Sequence, residues 1–118
     1  MKLEGRAKKL SVYLGESDHY EHKPTYKAIV EALRERGIAG ATVLRGVEGY
    51  GKTSRIHTAA ILRLSEDLPV VIEVIDKAER IESVLPLIRE VVKNGLVTIE
   101  DVEVISYKSG PEPGAEPG

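Results

Sequence analysis

The stretch that decides the fold is Pro69–Asp76, PVVIEVID. A strand places alternate side chains on opposite faces, so Val70, Ile72 and Val74 face one side. Two of the three residues that face the other side are also apolar. Helices can cover only one face of such a sheet. The uncovered apolar face therefore predicts self-association of the chain. The alternative is that Tyr13, Glu73 and neighbouring polar side chains make this face soluble.

Apolar periodicity on both sides of this strand places the remaining elements. The predicted elements are a strand at 8–15, a helix that Pro24 opens and Gly37 follows, a strand at 41–49, a second helix ending at Gly95, and a last strand at 97–108. The resulting order, β-α-β-β-α-β, predicts an α+β, ferredoxin-like fold. It has a four-stranded antiparallel sheet, two helices on one face, and a long loop between strands two and three.

Three local details sharpen this prediction. Asp76 and Glu79 form a plausible capping pair for the second helix. Pro86 removes a backbone donor within that helix, which predicts a kink or a restart there. The alternation of the last strand shifts phase near Glu100 and Asp101, which predicts a turn or a bulge.

Length and composition limit the class of protein. The 118 residues suit one domain at 1–108, followed by a Pro/Gly/Glu-rich tail at 109–118 that is expected to be disordered. The net charge of -2 does not indicate a nucleic-acid partner, and cysteine is absent. No apolar run is long enough to span a membrane, so a cytoplasmic location is expected. The lack of glutamine, with abundant Glu, Lys and Arg, suggests a thermophilic source.

The segment RGVEGYGKTS, residues 45–54, matches the phosphate-binding pattern G-x-x-x-x-G-K-[ST]. A minimal nucleotide hydrolase would use Lys52 and Thr53 on the phosphates and magnesium, with Asp76 as a metal ligand. The predicted topology argues against this hypothesis, because the motif joins two strands of an antiparallel hairpin. A P-loop instead follows a strand and begins a helix. Hydrolysis therefore stays the alternative interpretation.

The run GATVLRGVEGYG, residues 40–51, resembles the nitrogen-regulatory P-II signalling proteins. Residues 45–57, 62–76 and 85–105 more closely resemble a P-II-like group, the domain-of-unknown-function family 190. The resemblance covers roughly residues 5–107. It implies a homotrimeric sensor, not an enzyme, that binds an adenine nucleotide (AMP, ADP or ATP) between subunits. The long loop would contact an unknown protein partner, possible classes including a membrane transporter.

The same resemblance implies the site residues. Gly49 and Gly51 would let the backbone approach phosphates, and Lys52 would supply positive charge. Lys108 is what remains of a basic pair that ends the last strand region in the family. Arg45, Arg55 and His57 are added because they lie close to these residues in the sequence, and not through a family motif. The full candidate set for the ligand is Arg45, Gly46, Gly49, Tyr50, Gly51, Lys52, Thr53, Arg55, His57 and Lys108. The chain departs from P-II proteins at residues 93–101, where a second glycine-rich phosphate loop is missing.

A further constellation lies in the loop ESDHYEHK, residues 16–23. His19 and His22 are three residues apart, and this spacing brings two imidazoles to one metal ion if the loop is helical. The CutA-type proteins, which confer tolerance of divalent ions, share the predicted fold. Divalent-metal binding through these histidines is therefore a third interpretation, beside a loop that is simply solvated.

Overall fold

Ten elements follow one another along the part of the chain that the structure, a computed structural model, describes: residues 3–49, 57–58 and 68–108. They are β1 (Gly5–Gly15), β2 (His19–Tyr20), β3 (Lys23–Pro24), α1 (Thr25–Glu35), β4 (Thr42–Arg45), β5 (Glu48–Gly49), β6 (His57–Thr58), β7 (Pro69–Asp76), α2 (Ala78–Val91) and β8 (Leu96–Val104). The predicted tail at 109–118 lies outside the described residues.

The main sheet contains four strands in the order β4-β7-β1-β8. Each neighbouring pair is antiparallel. The four predicted strands correspond to β1, β4, β7 and β8, and the helices follow the first and the third of them. The α+β, ferredoxin-like prediction is therefore confirmed, and the long connection between predicted strands two and three joins β4 to β7.

The core lies between the sheet and the two helices. The alternation of β7 is confirmed, because Val70, Ile72 and Val74 are buried and point into one cluster with residues of β1. Ile29 and Leu33 of α1 reach the same cluster. The buried residues of α2 complete it: Ile81, Val84, Ile88 and Val91. Both helices therefore cover the same face, and among the described elements none forms a layer on the opposite face of the sheet.

That opposite face, called the open face here, is organised in rows that run across the strands. One row joins Leu44, Val71, Tyr13 and Leu96, which are register partners in β4, β7, β1 and β8. Three of these are large and exposed, with 49% of Leu44, 43% of Tyr13 and 57% of Leu96 accessible. The next row is polar and joins Thr42, Glu73, Ser11 and Thr98. We call these the apolar row and the polar row.

The second helix begins later than the sequence suggests. Its N-cap is Lys77, and no side chain caps the helix by a hydrogen bond. The predicted Asp76–Glu79 capping pair is therefore wrong. The Asp76 carboxylate instead accepts hydrogen bonds from two backbone N–H groups, those of Lys77 and of Ala39 in the turn before β4. The helix does not restart at Pro86, which lies inside the continuous segment Ala78–Val91.

The predicted turn or bulge near Glu100 and Asp101 is also wrong. Strand β8 pairs with β1 residue by residue from Leu96 to Val104, without a skipped position. The phase shift has an electrostatic cause. Asp101 Oδ1 lies 2.7 Å from Lys8 Nζ, and Glu100 Oε1 lies 3.7 Å from Lys9 Nζ. Acidic residues on both faces of this edge strand thus match a lysine pair in β1.

Gly95 does not end α2 directly, because the helix stops at Val91. Its role is close packing between this connection and β1. A Cβ at Gly95 would lie 2.5 Å from the Tyr13 carbonyl oxygen, which is closer than a side chain tolerates. None of the described helices is long and apolar enough to cross a membrane.

Candidate functional site

The base of the long loop is formed where β4 ends and β7 begins. The Gly46 N–H donates a hydrogen bond to the Pro69 carbonyl, at 2.8 Å. A Cβ at Gly46 would lie 2.8 Å from Pro69 Cγ, and one at Gly49 would lie 3.1 Å from the same atom. Both glycines therefore let the outgoing chain pack on Pro69. The Gly46 N–H is already used there, so it is not free to bind phosphate.

Arg45 brings a positive charge to this loop base. Its guanidinium forms an ion pair with the Glu16 carboxylate, and 59% of the Arg45 side chain remains accessible. Glu16 is itself held beside the returning chain, because its N–H donates to the Leu68 carbonyl at 2.8 Å. The loop after β1 therefore supplies Glu16 as a counter-ion for Arg45, the cation that an anionic ligand would meet first at the loop base.

The other predicted ligand residues divide into three groups. The backbone of His57 pairs with Gly49 in the β5–β6 ladder, so this part of the loop returns to its base. Lys108 is exposed and follows β8 at the opposite end of the sheet. The remaining candidates lie outside the described residues: Tyr50, Gly51, Lys52, Thr53 and Arg55. The structure thus brings Arg45, Gly46 and Gly49 together, with the His57 backbone beside them.

A cavity of about 320 Å³ opens at the other end of β4, on the open face. Its volume falls at the lower end of the roughly 300–1,000 Å³ typical of small-molecule sites. The walls combine apolar side chains with hydroxyl groups and one carboxylate. The lining residues are Leu3, Ala39, Gly40, Thr42, Glu73, Ile75, Val104, Ser106 and Tyr107. Such a lining suits a flat ring with a polar edge.

The segments just before β1 and just after β8 close one side of this cavity. Leu3 is only 4% exposed although it lies outside any strand. The Tyr107 N–H donates a hydrogen bond to Glu4 Oε2 at 3.1 Å, which joins the segment before β1 to the segment after β8. These two segments, residues 3–4 and 105–108, are called the terminal arms here. They form the outer wall opposite the turn that precedes β4.

Glu73 places a charge on the floor of the cavity. Its carboxylate lies 3.2 Å from Lys9 Nζ, and the two side chains are 34% and 28% exposed. The hydrogen bond and charge of Glu73, with a smaller contribution from Glu100, raise the pKa of Lys9. Lys9 therefore stays protonated and balances the acidic groups beside it.

Sequence reasoning missed this cavity. The alternation of β7 correctly predicts that Glu73 faces away from the helices, and that was the only available signal. The other walls come from Leu3, Thr42 and Tyr107, which are far apart along the chain. No spacing or motif links them, because the sheet register alone brings them together.

The predicted histidine pair lies in a small hairpin formed by β2 and β3. Its turn residues Glu21 and His22 adopt positive φ values of 47° and 70°. His19 Nδ1 donates to the Ser17 carbonyl at 2.6 Å. Across the described ranges, no group of three or more acidic or histidine side chains is arranged to hold a metal ion. The loop is therefore a hairpin and not the helical turn that the metal hypothesis required.

The position of Asp76 bears on the hydrolase hypothesis. It lies seven residues along β7 from Pro69, which is roughly 23 Å in a strand. Its carboxylate is completely buried and accepts two backbone N–H groups. This geometry gives Asp76 a structural partner in place of a metal ion, and it places the residue at the far end of the sheet from the loop base.

Comparison with known proteins identifies the family. Residues 7–104 match the domain-of-unknown-function family 190, described as "Uncharacterized ACR". A UPF0166 protein of Aquifex aeolicus is 45% identical over 100 residues, covering 85% of this chain and 94% of the relative. A UPF0166 protein of Methanocaldococcus jannaschii is 46% identical over 100 residues, covering 84% and 92%.

Solved structures resemble the fold at lower identity. The P-II-like protein CPII of Thiomonas intermedia K12, bound to ADP, AMP and bicarbonate, has a TM-score of 0.64 at 19% identity. That match covers 84% of this chain and 88% of CPII. CPII bound to ADP and bicarbonate has a TM-score of 0.53 at 22% identity, with the same coverage. The P-II-like fold and the sequence match together show that the chain belongs to the domain-of-unknown-function family 190.

Proposed function

We propose that this protein is a P-II-like regulatory protein that binds an adenine nucleotide and signals through the long loop between β4 and β7. It acts as a sensor and not as an enzyme. Membership of family 190 and the fold shared with CPII support this proposal, since that protein was solved with ADP and AMP bound. For this chain itself, the support comes from its own geometry.

The observation that carries the proposal is the placement of the cavity and the loop base on one edge strand. Thr42 lines the cavity, and Gly46 begins the loop four residues later. In a strand this separation is roughly 13 Å. An extended nucleoside diphosphate has about that reach. Its base would enter the cavity on the open face, and its phosphates would pass around this edge strand towards the loop and Arg45, whose register partner is the core-facing Val70.

The chemistry of the two ends agrees with this orientation. Apolar side chains beside Glu73, Thr42 and Ser106 suit a heteroaromatic base that has polar groups on its edge. At the other end, Arg45 offers a guanidinium, which suits phosphate oxygens. Lys52 and Arg55 of the loop would add further positive charge. Tyr50, Gly51, Thr53 and His57 would complete the phosphate end, while Lys108 lies near the base end.

Oligomerisation is part of the proposal. The apolar row crosses all four strands at the loop-base end of the open face, where the helices do not cover it. Copies of the chain that pack through this row would bury Tyr13, Leu44 and Leu96. The number three comes from the resemblance to P-II proteins. A site between subunits would then combine the edge of one sheet with a neighbouring copy.

Sedimentation velocity at micromolar concentration tests this assembly. We expect a trimer, and we expect Leu96→Glu to shift the population towards monomer because it places a charge in the apolar row. A wild-type chain that sediments as a stable monomer would contradict the assembly, and with it a site shared between subunits.

Calorimetry with AMP, ADP and ATP, without and with magnesium, tests the ligand. We expect saturable binding that Lys52→Ala weakens, and no release of phosphate. Steady phosphate release that Asp76→Asn abolishes would favour the hydrolase instead. Zinc binding that His19→Ala abolishes would favour the metal-tolerance interpretation.

Partial digestion with trypsin tests signalling through the loop. Lys52 and Arg55 offer cleavage sites within it. If the nucleotide orders the loop, ADP will slow cleavage at these two sites and leave cleavage at the exposed Arg34 unchanged. Equal rates with and without bound ADP would mean that the loop does not report the ligand.

A further inference from the structure

We propose that Asp76 is a positioning residue for the candidate ligand cavity. Its buried carboxylate fixes the turn between α1 and β4, and this turn forms one wall of the cavity. Asp76 itself does not line the cavity. The inference rests on the proposed nucleotide binding and assigns a role to a residue that the proposed site does not include.

The burial and partners of Asp76 are unusual for a carboxylate. The residue is 0% exposed. Its Oδ2 accepts the Ala39 N–H at 2.9 Å, and its Oδ1 accepts the Lys77 N–H at 2.7 Å. A buried carboxylate needs such donors, because it loses its hydration on folding. Both oxygens are therefore committed, one of them to a residue that is 37 positions away in the sequence.

The partner Ala39 leads directly to the cavity. Ala39 and Gly40 both line it, and Thr42, two residues further, lines it as well. The wall therefore begins at the residue whose N–H Asp76 accepts. Because Gly37, two residues before Ala39, has a φ of +78°, the chain turns sharply just before this point. The hydrogen bond to Asp76 fixes where the chain emerges from that turn.

Arg80 holds the same turn at a second point. Its Nη1 donates to the Gly37 carbonyl at 2.6 Å. Arg80 lies in the first turn of α2, and Asp76 lies just before that helix. The start of α2 thus fixes the turn at residues 37 and 39. An element of the helix layer therefore sets the shape of a wall on the open face of the sheet.

A purely structural role makes a different prediction. If Asp76 only stabilises the fold, its replacement lowers stability and leaves the ligand affinity of the folded protein unchanged. A positioning role predicts weaker binding in protein that is fully folded. It also predicts a local change at the Ala39 amide, which hydrogen exchange can follow residue by residue.

The principal test is Asp76→Asn, which keeps the shape and replaces one acceptor oxygen with an NH2 group. In calorimetry with ADP under fully folded conditions, we expect the dissociation constant to rise about tenfold, the scale of one hydrogen bond to a charged group. The Ala39 amide should exchange faster. Asp101→Asn is the matched control, because both aspartates are register partners of Lys8. It should change neither quantity.

A surface variant tests the proposal without disturbing a buried charge. Arg80→Met removes the bond to Gly37 and should raise the ADP dissociation constant about threefold, while Arg89→Met, in the last turn of the same helix, leaves it unchanged. Wild-type affinity in both Asp76→Asn and Arg80→Met would overturn the inference. If the wild type does not bind ADP, the nucleotide proposal fails, and Ala39 exchange in Asp76→Asn still decides whether Asp76 holds the wall.

Discussion

At its Arg45 end, β4 runs into a loop base made of chain segments that lie against each other, whereas at its Thr42 end it borders a cavity closed by both terminal arms. The loop base is held by backbone contacts between Gly46 and Pro69 and by one exposed ion pair. The cavity has mixed apolar and polar walls and a partly buried carboxylate.

The two ends of β4 therefore have different roles. Backbone packing at the loop base decides how the chain leaves and returns, and the side chains there remain accessible. Side chains that line the cavity would decide which ligand can enter it. Changes at the cavity end should therefore act on ligand affinity, and changes of glycine at the loop base should act on stability.

The largest expected effect is a block of the cavity. Thr42→Trp places an indole in the space that the base would occupy, so ADP affinity should fall at least about thirtyfold, roughly 2 kcal/mol. Stability should change by no more than about 0.5 kcal/mol, since Thr42 is exposed on an edge strand. Calorimetry and urea denaturation measure the two quantities.

Thr98→Trp is the matched control for this block. Thr98 lies in the same polar row on the other edge strand, away from the cavity. It should keep the wild-type affinity for ADP. Unchanged binding in Thr42→Trp would instead move the ligand away from this end of β4.

The second effect concerns the loop base. Gly46→Ala puts a methyl group 2.8 Å from Pro69 Cγ, so the ring or the chain must move. We expect a loss of about 1–3 kcal/mol in the free energy of unfolding, measured by urea denaturation. Gly40→Ala is the control, because a Cβ there meets nothing within 4 Å. Equal stability of both variants would show that the Gly46–Pro69 contact relaxes freely.

The third effect is electrostatic and smaller. Arg45→Met removes the cation at the proposed phosphate end, and the ADP dissociation constant should rise about threefold at low salt. Glu16→Gln removes the counter-ion from the same guanidinium and should lower that constant. The decisive result is an ADP dissociation constant that rises in Arg45→Met and falls in Glu16→Gln. If both changes weaken binding equally, the ion pair acts as a structural unit and not as a competitor for phosphate.

The smallest effect is the dependence of stability on acid. The hydrogen bond and charge of Lys8 lower the pKa of Asp101 below its ordinary value of 3.8. Because the pKa of Asp101 is lower in the folded than in the unfolded protein, the pair stabilises the fold at pH values above the unfolded-state pKa. This contribution disappears as the pH falls through the pKa of the folded state. Urea midpoints of wild type and Asp101→Asn should differ slightly at pH 6 and converge once the pH falls below the lowered pKa of Asp101 in the folded protein. A constant difference would show that the charge of Asp101 is not the cause.

The order of elements and the core-facing residues could be predicted from the sequence, because both depend on local periodicity. Pro69–Asp76 shows this most clearly, since its alternation correctly placed Val70, Ile72 and Val74 together on one face, and that face is the core. The bulge at Glu100 and Asp101 was predicted wrongly for a related reason. Periodicity registers polarity, and it could not show that Lys8 and Lys9 of another strand pair with these acids.

The candidate site was predictable only in part. The glycines near residue 46 drew attention as a phosphate motif, but the contact with Pro69 explains Gly46 and Gly49 by packing. The cavity depends on residues from positions 3 to 107, whose proximity follows from strand register. Asp76 was interpreted as a helix cap because Ala39, its actual partner, is distant in the sequence.

The bond between Glu4 and Tyr107 has a practical consequence for anyone who prepares this protein. Residues 3 and 107 both border the cavity, so a bulky group attached close to either of them would lie at its rim. Affinity tags placed directly beside either residue would crowd the opening through which the proposed nucleotide enters. Binding measurements therefore call for cleaved, tag-free material, or for a purification handle inserted at a surface site on the helical side.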